Sequence, residues 1–277
     1  MAFSLSSLFN RKQAVIPVVR LSGAIGSGGG FRGGLSLAGV EAALGKAFGI
    51  KRAPAVALII NSPGGAAVQS HLIFERIRAL AEEKKKKVIV AVEDVAASGG
   101  YMIAVAGDEI VVDGSSIVGS IGVLFAGFGF TRLMDKIGVE RRIHTAGTSK
   151  SMLDPFSPEK PDDVERLKLL QADVHADFIE LVRSRRPRLS HEPDLFTGAF
   201  WSGTRAVELG LADRVGDLRS VLREAYGEDV RLVPVSTQKR GLLRRLRLPG
   251  ADGGTAGIVG EVVAAIEERS LWDRFGL

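Results

Sequence analysis

The run Ala55-Val56-Ala57-Leu58-Ile59-Ile60 is apolar at every position. A strand without polar alternation must be covered on both faces, as happens in a parallel sheet flanked by helices. The run stops at Asn61-Ser62-Pro63-Gly64-Gly65, and the pattern beyond predicts a helix from about Ala66 to Glu83. A second strand-like run, Lys87 to Val92, leads through Ala96-Ala97-Ser98-Gly99-Gly100 into a small apolar helix that ends near Gly107. Asp108 to Val112 reads as the next strand, and Ala14 to Leu21 as the first. Strand, helix, strand in this rhythm implies right-handed βαβ crossovers. The fold class is therefore α/β with a parallel sheet.

The turn at Ser98 breaks a local rule. Two glycines in the first turn of a helix cost about 1 kcal/mol each against alanine. An unfavourable choice inside a core element marks a place where something other than local stability is served. Glycine admits a close backbone, and a helix N-terminus offers free N–H groups. A serine hydroxyl there can attack a carbonyl while neighbouring amides hold the oxyanion. The plainer reading is that Ser98 caps the helix. Because strand ends share one edge of an α/β sheet, the Gly64-Gly65 turn is expected to face the same cleft.

The rest of the chain limits the alternatives. Cysteine is absent, so thiolate chemistry and disulfides are excluded. The four histidines, His71, His144, His175 and His191, show no metal-ligand spacing, and no metal site is expected. Gly28-x-Gly30-x-x-Gly33 matches a dinucleotide fingerprint by letter only. It stands too far from the preceding strand and lacks the acidic ribose partner, so no cofactor is expected. Basic runs at Lys84–Lys87, Arg183–Arg188 and Lys239–Arg247 contribute to a net charge of +5. They read as solvated faces, and no nucleic-acid partner is expected. No secretory signal and no membrane-spanning run is evident, which predicts a cytoplasmic protein or one peripheral at the inner face of a membrane.

Three segments are predicted. Met1–Gln13 is an arm, residues 14–236 form the main domain, and residues 237–277 form a basic link and an amphipathic helix from Ile258 to about Phe275. Within the main domain, Ser36 is expected to cap a helix to about Phe48, and Val139–Thr145 to form a strand. A long helix should end near Arg186, with Leu167, Leu170, Val174, Phe178 and Leu181 as its apolar stripe. Further helices are expected within Trp201–Val215 and over Leu218–Tyr226, with a late strand at Asp229–Ser236.

A serine nucleophile needs a base, and no histidine has an evident claim. A lysine serves when burial lowers its pKa from about 10.4. Lys150 stands apart from the charge runs, with Met152, Leu153 and Phe156 nearby. Spacing alone does not choose among the lysines.

The chain resembles the signal peptide peptidase A family, peptidase family S49, in a short single-domain form. The resemblance rests on Asn61-Ser62-Pro63-Gly64-Gly65, Ala97-Ser98-Gly99-Gly100-Tyr101, Gly119-Ser120-Ile121-Gly122-Val123 and Gly147-Thr148-Ser149-Lys150-Ser151. Trp201-Ser202-Gly203, with Ala206 and Gly210-Leu211-Ala212-Asp213, resembles the later family signature. It implies a ClpP/crotonase-like fold and a serine peptidase with Ser98 as nucleophile and Lys150 as base. By the same resemblance Ser120 holds the lysine amine, and Gly65 and Gly99 donate to the oxyanion. It implies an acyl-enzyme mechanism on unfolded, apolar peptides such as signal-peptide remnants, without metal or nucleotide, in a homo-oligomer.

Three alternatives share this architecture. A Clp-type protease needs a His–Asp pair, and no histidine follows Ser98 until His144. A crotonase-like acyl-CoA enzyme would use the oxyanion hole for an enolate, usually with a carboxylate. A non-catalytic scaffold or membrane-binding protein would need none of these residues. Leu242, Leu243 and Leu246 among arginines suggest that the C-terminal region touches a membrane surface; a packed helix is the competing reading.

Overall fold

The computed structural model describes residues 13–26, 34–237, 266 and 269–277. The arm before Gln13, the Gly28–Gly33 fingerprint and the basic segment Gly241–Arg247 lie outside the described residues, as does most of the expected helix from Ile258. Among the described residues the strands form an eight-stranded sheet. The strands are β1 (Val15–Ser22), β2 (Ala55–Ser62), β3 (Lys87–Ala97), β4 (Glu109–Val112), β5 (Ile117–Gly119), β6 (Phe200–Ser202), β7 (Arg214–Val215) and β8 (Arg231–Val235). The order is β6-β5-β3-β2-β1-β8, with β4 beside β3 and β7 beside β4. Every pairing is parallel except β5 with β6. This is the α/β class with βαβ units that the sequence implied.

The helices are α1 (Leu37–Phe48), α2 (Ala67–Lys84), α3 (Gly99–Ala104), α4 (Thr131–Ile137), α5 (Pro161–Arg185), α6 (Gly203–Glu208) and α7 (Leu218–Tyr226). Val56, Leu58 and Ile60 of β2 belong to one buried cluster with Val40 and Leu44 of α1 and Ile73 and Ile77 of α2. Ala55 and Ala57 belong to another, with Val221 and Leu222 of α7. Helices on both faces explain why β2 has no polar side to spare.

β3 is longer than its apolar run suggested and ends on the residue before Ser98. Ile89–Val92 pairs with β4, and Val95–Ala97 pairs with β5 along the same edge. One strand thus carries two short neighbours in succession.

Three expectations need correction. Val139–Thr145 is not a strand but exposed, irregular chain. Among the described residues no strand pairs with it, and the free edge of β5 is taken by β6. Ser36 sits at the N-cap of α1 without a side-chain cap bond. Gln69 Oε1 instead accepts from Leu37 N at 3.0 Å, a long-range substitute for the local cap. The stripe on α5 holds except at Leu170, which is 58 % exposed; Phe178 is buried and Leu181 packs against the core.

The Gly210–Asp213 motif has a structural task. Arg186, itself buried, gives Nη1 and Nη2 to Asp213 at 2.8 and 2.9 Å and Nε to Gly210 O at 2.9 Å. Asp213 Oδ2 also accepts from Ile110 N at 2.7 Å. This joins the end of α5 to β4. Arg186→Ala removes both guanidinium donors from the Asp213 carboxylate, leaving it only Ile110 N, and takes away the donor to Gly210 O. It is expected to lower unfolding free energy by about 2–4 kcal/mol, read from urea denaturation. A change below about 0.5 kcal/mol would show that this bridge does not hold α5 to the sheet.

Candidate functional site

Ser98 occupies the sharp turn between β3 and α3, with φ 52° and ψ −123°. A non-glycine residue with positive φ in such a turn is strained. The neighbourhood imposes the strain. Ser98 N donates to Gly119 O at 2.8 Å, and Ser98 O accepts from Met102 N at 3.0 Å. The side chain makes no cap bond, so the capping reading fails and the hydroxyl is left unused by the helix. The entire α3 segment is buried. Tyr101 donates its hydroxyl to Leu211 O at 2.8 Å, and burial pushes its phenol pKa well above the ordinary value.

The glycines around this turn answer to close approach. A Cβ on Gly99 would stand 2.3 Å from Ser70 Oγ. Gly65 has φ 140°, and a Cβ there would meet Ile25 O at 2.0 Å. Ile25 explains the second contact: its N–H donates to Gly64 O and its carbonyl accepts from Ala66 N, both at 2.8 Å. These bonds bracket Gly65 and leave its own N–H unpaired. Among the described residues neither Gly65 N–H nor Gly99 N–H donates a hydrogen bond.

Ser98, Gly65, Gly99 and Ser120 line one cleft of about 510 Å³. Ser120 is buried and has φ 54°, held by its N–H donating to Ala199 O at 2.7 Å. His175 Nε2 lies 3.2 Å from Ile121 O and braces the next residue. The apolar wall includes Met102, Val174, Phe178 and Leu271.

Lys150 is not among the residues lining this cleft. It sits exposed in the turn 146–150, where its N–H donates to Gly147 O at 3.3 Å. The neighbours Met152, Leu153 and Phe156 do not bury it. The segment from about residue 122 to residue 160 makes its bonds largely within itself: Phe130 N donates to Pro155 O, Arg141 pairs with Asp154, and Phe130 stacks on Phe156. It forms a lobe beside the sheet. His144, also exposed in the lobe, is likewise not among the cleft-lining residues.

Sequence reasoning did not bring Val174, Phe178, Thr197, Gly198, Leu271 or Arg274 to this cleft. The apolar residues Leu271, Trp272 and Phe275 were legible as one face of a helix, but nothing local indicates what that face covers.

A serine on a strand-to-helix turn, with two unpaired amides in its cleft, is a site suited to acyl transfer. The model of peptidase family S49 matches residues 80–230, which include Ser98, Ser120 and Lys150. The chain belongs to that family. It is 56 % identical over 280 residues to part of a Brucella abortus protein named Na(+)/H(+) antiporter NhaA, covering 97 % of this chain and 38 % of that protein. It is 34 % identical over 172 residues to the chloroplastic serine protease SPPA of Arabidopsis thaliana, covering 61 % of this chain and 25 % of that one. The chain thus spans well under half the length of either relative. A solved structure of a variant of a membrane-bound stomatin-specific protease aligns with a TM-score of 0.48 at 17 % identity, covering 82 % of this chain and 95 % of that one. Among the described residues no helix is long and apolar enough to cross a membrane.

Proposed function

We propose that this protein is a serine peptidase that cleaves extended, apolar peptides through an acyl-enzyme, with Ser98 and Lys150 as its catalytic pair. The observation that carries the reading is the cleft in which the uncapped hydroxyl of Ser98 meets the unpaired amides of Gly65 and Gly99. Ser98 Oγ attacks the peptide carbonyl carbon and gives its proton to Lys150 Nζ. The two amides hold the oxyanion. The C–N bond breaks, the amine leaves with the proton, and water hydrolyses the ester. Ser120 would orient the lysine amine. The antiporter name describes a protein of which this chain matches 38 %, and the family match supplies the reading of the matched part.

Lys150 must reach the cleft and lose its solvent to act as a base. We place it there by association: the lobe of one copy covers the cleft of the next. Support comes from the lobe surface, where Phe125, Phe128, Leu133, Ile137 and Val139 are all more than half exposed, between 53 % and 62 %. Apolar side chains so grouped are the usual mark of a contact surface. A homo-oligomer would bury them and supply the missing base in one step.

The expected result is that a fluorophosphonate probe adds to Ser98, located by mass spectrometry, and that the protein cleaves unstructured peptides rich in Leu, Ala and Val. Folded protein that gains no adduct at Ser98 and cleaves no such peptide would overturn the reading. A crotonase-like enzyme would leave the peptides intact.

A further inference from the structure

The last residues of the chain are fixed to the strands that present Ser98. Phe275 is buried against Val95 and Ala97 of β3, with Ile117 and Trp272 packed around it. Its ring meets Phe200 of β6 edge-on, with centroids 5.1 Å apart. This anchorage puts Leu271 and Arg274 into the wall of the cleft that holds Ser98. Leu271 adds to an apolar wall. Arg274 adds a charge, and it is the one charged side chain among the described residues lining the cleft.

Among the described residues no carboxylate answers that charge. The acidic neighbour Asp273 pairs with Arg269 at 2.7 Å. Among the described residues Arg274 makes no ion pair; its guanidinium lies 5.7 Å from the centre of the Phe275 ring. A planar guanidinium with open donors beside an apolar cleft is suited to hold a carboxylate in a forked pair.

We propose that Arg274 is a specificity-determining residue that draws peptides bearing a carboxylate near the scissile bond into the cleft. The inference rests on the peptidase reading of that cleft. The substrate class is then narrower than apolar peptides: apolar segments that carry either a free C-terminal carboxylate or an Asp or Glu within reach of Arg274.

The test uses the full-length protein and one apolar peptide made in matched forms. One pair has a free carboxylate or an amide at its C-terminus. A second set keeps the amide and carries Glu, Gln or Lys at successive internal positions. Wild type is expected to prefer a carboxylate form by about five- to tenfold in kcat/KM, mainly through KM, and to lose part of that preference at high salt. The terminal pair and the internal set report separately which carboxylate is read. In Arg274→Gln the preference collapses to parity, in Arg274→Lys only a minor part of it survives because an ammonium cannot make the forked pair, and in Arg274→Glu the cleft favours the Lys peptide. Wild type that cleaves acid and amide forms alike, or an Arg274→Gln enzyme that keeps the preference, overturns the proposal and leaves the peptidase reading standing. Wild type that cleaves no member of either set overturns both.

Discussion

Ser98→Ala is expected to lose about a thousandfold or more of its kcat/KM on an apolar peptide, while the fold remains within about 1 kcal/mol of wild type. The size follows from the role. Without Oγ no ester forms, and only binding and the oxyanion amides remain to act on water. Lys150→Ala should cost a similar factor, since the hydroxyl is then a weak nucleophile without a base. Residues that act as one unit do not add, so the double variant should be hardly worse than either single one. Steady-state peptide hydrolysis measures the loss, and urea denaturation checks the fold. A Lys150→Ala enzyme with near wild-type turnover would remove Lys150 from the mechanism and leave the choice of base open again.

A mixture of the two inactive variants is expected to regain activity. If Ser98 of one copy is served by Lys150 of the next, random exchange of subunits makes about one site in four from two intact halves. Activity should therefore climb from near the background of each variant to about a quarter of the wild-type value per site. A lobe that closed over the cleft of its own chain would give no such recovery, because every site would lack one of its partners. The same experiment needs subunit exchange to be verified, for example by mass spectrometry of mixed oligomers. Exchange without recovered activity would refute the shared site while leaving Ser98 as nucleophile.

The sheet was legible in the sequence because burial on both faces leaves a plain trace. Ala55–Ile60 suits a strand covered on both faces, and its neighbours in the chain followed from the βαβ rule. That rule also brought Gly65, Ser98 and Gly99 to one cleft, since each stands where a parallel strand ends. Local pattern carried less where partners are distant. Val139–Thr145 reads as a strand, yet pairing requires an edge, and β6 occupies the one at β5. β6 itself spans only three residues, too few for any periodicity. The cap of α1 comes from Gln69, thirty-two residues away, which no local signal announces. Lys150 lies in a lobe joined by loops, and loop direction leaves no period to read. The contact of Phe275 with Val95 and Ala97 joins distant parts of the chain and is invisible to any window of sequence.

The division of β3 between two neighbours has a consequence for local opening. Its last residues are held on one side by Ser62 of β2 and on the other by Ile117–Gly119 of β5. The amide of Ser98 continues that ladder through Gly119 O. To expose these amides to exchange with solvent, the middle of the sheet has to come apart, at close to the free energy of unfolding the whole domain. The lobe bearing Lys150 is tied mainly to itself and can open at far lower cost. Ser98 and Lys150 therefore belong to different cooperative units. The first keeps its shape as long as the protein is folded, and in the proposed mechanism the second sets when the catalytic pair is complete.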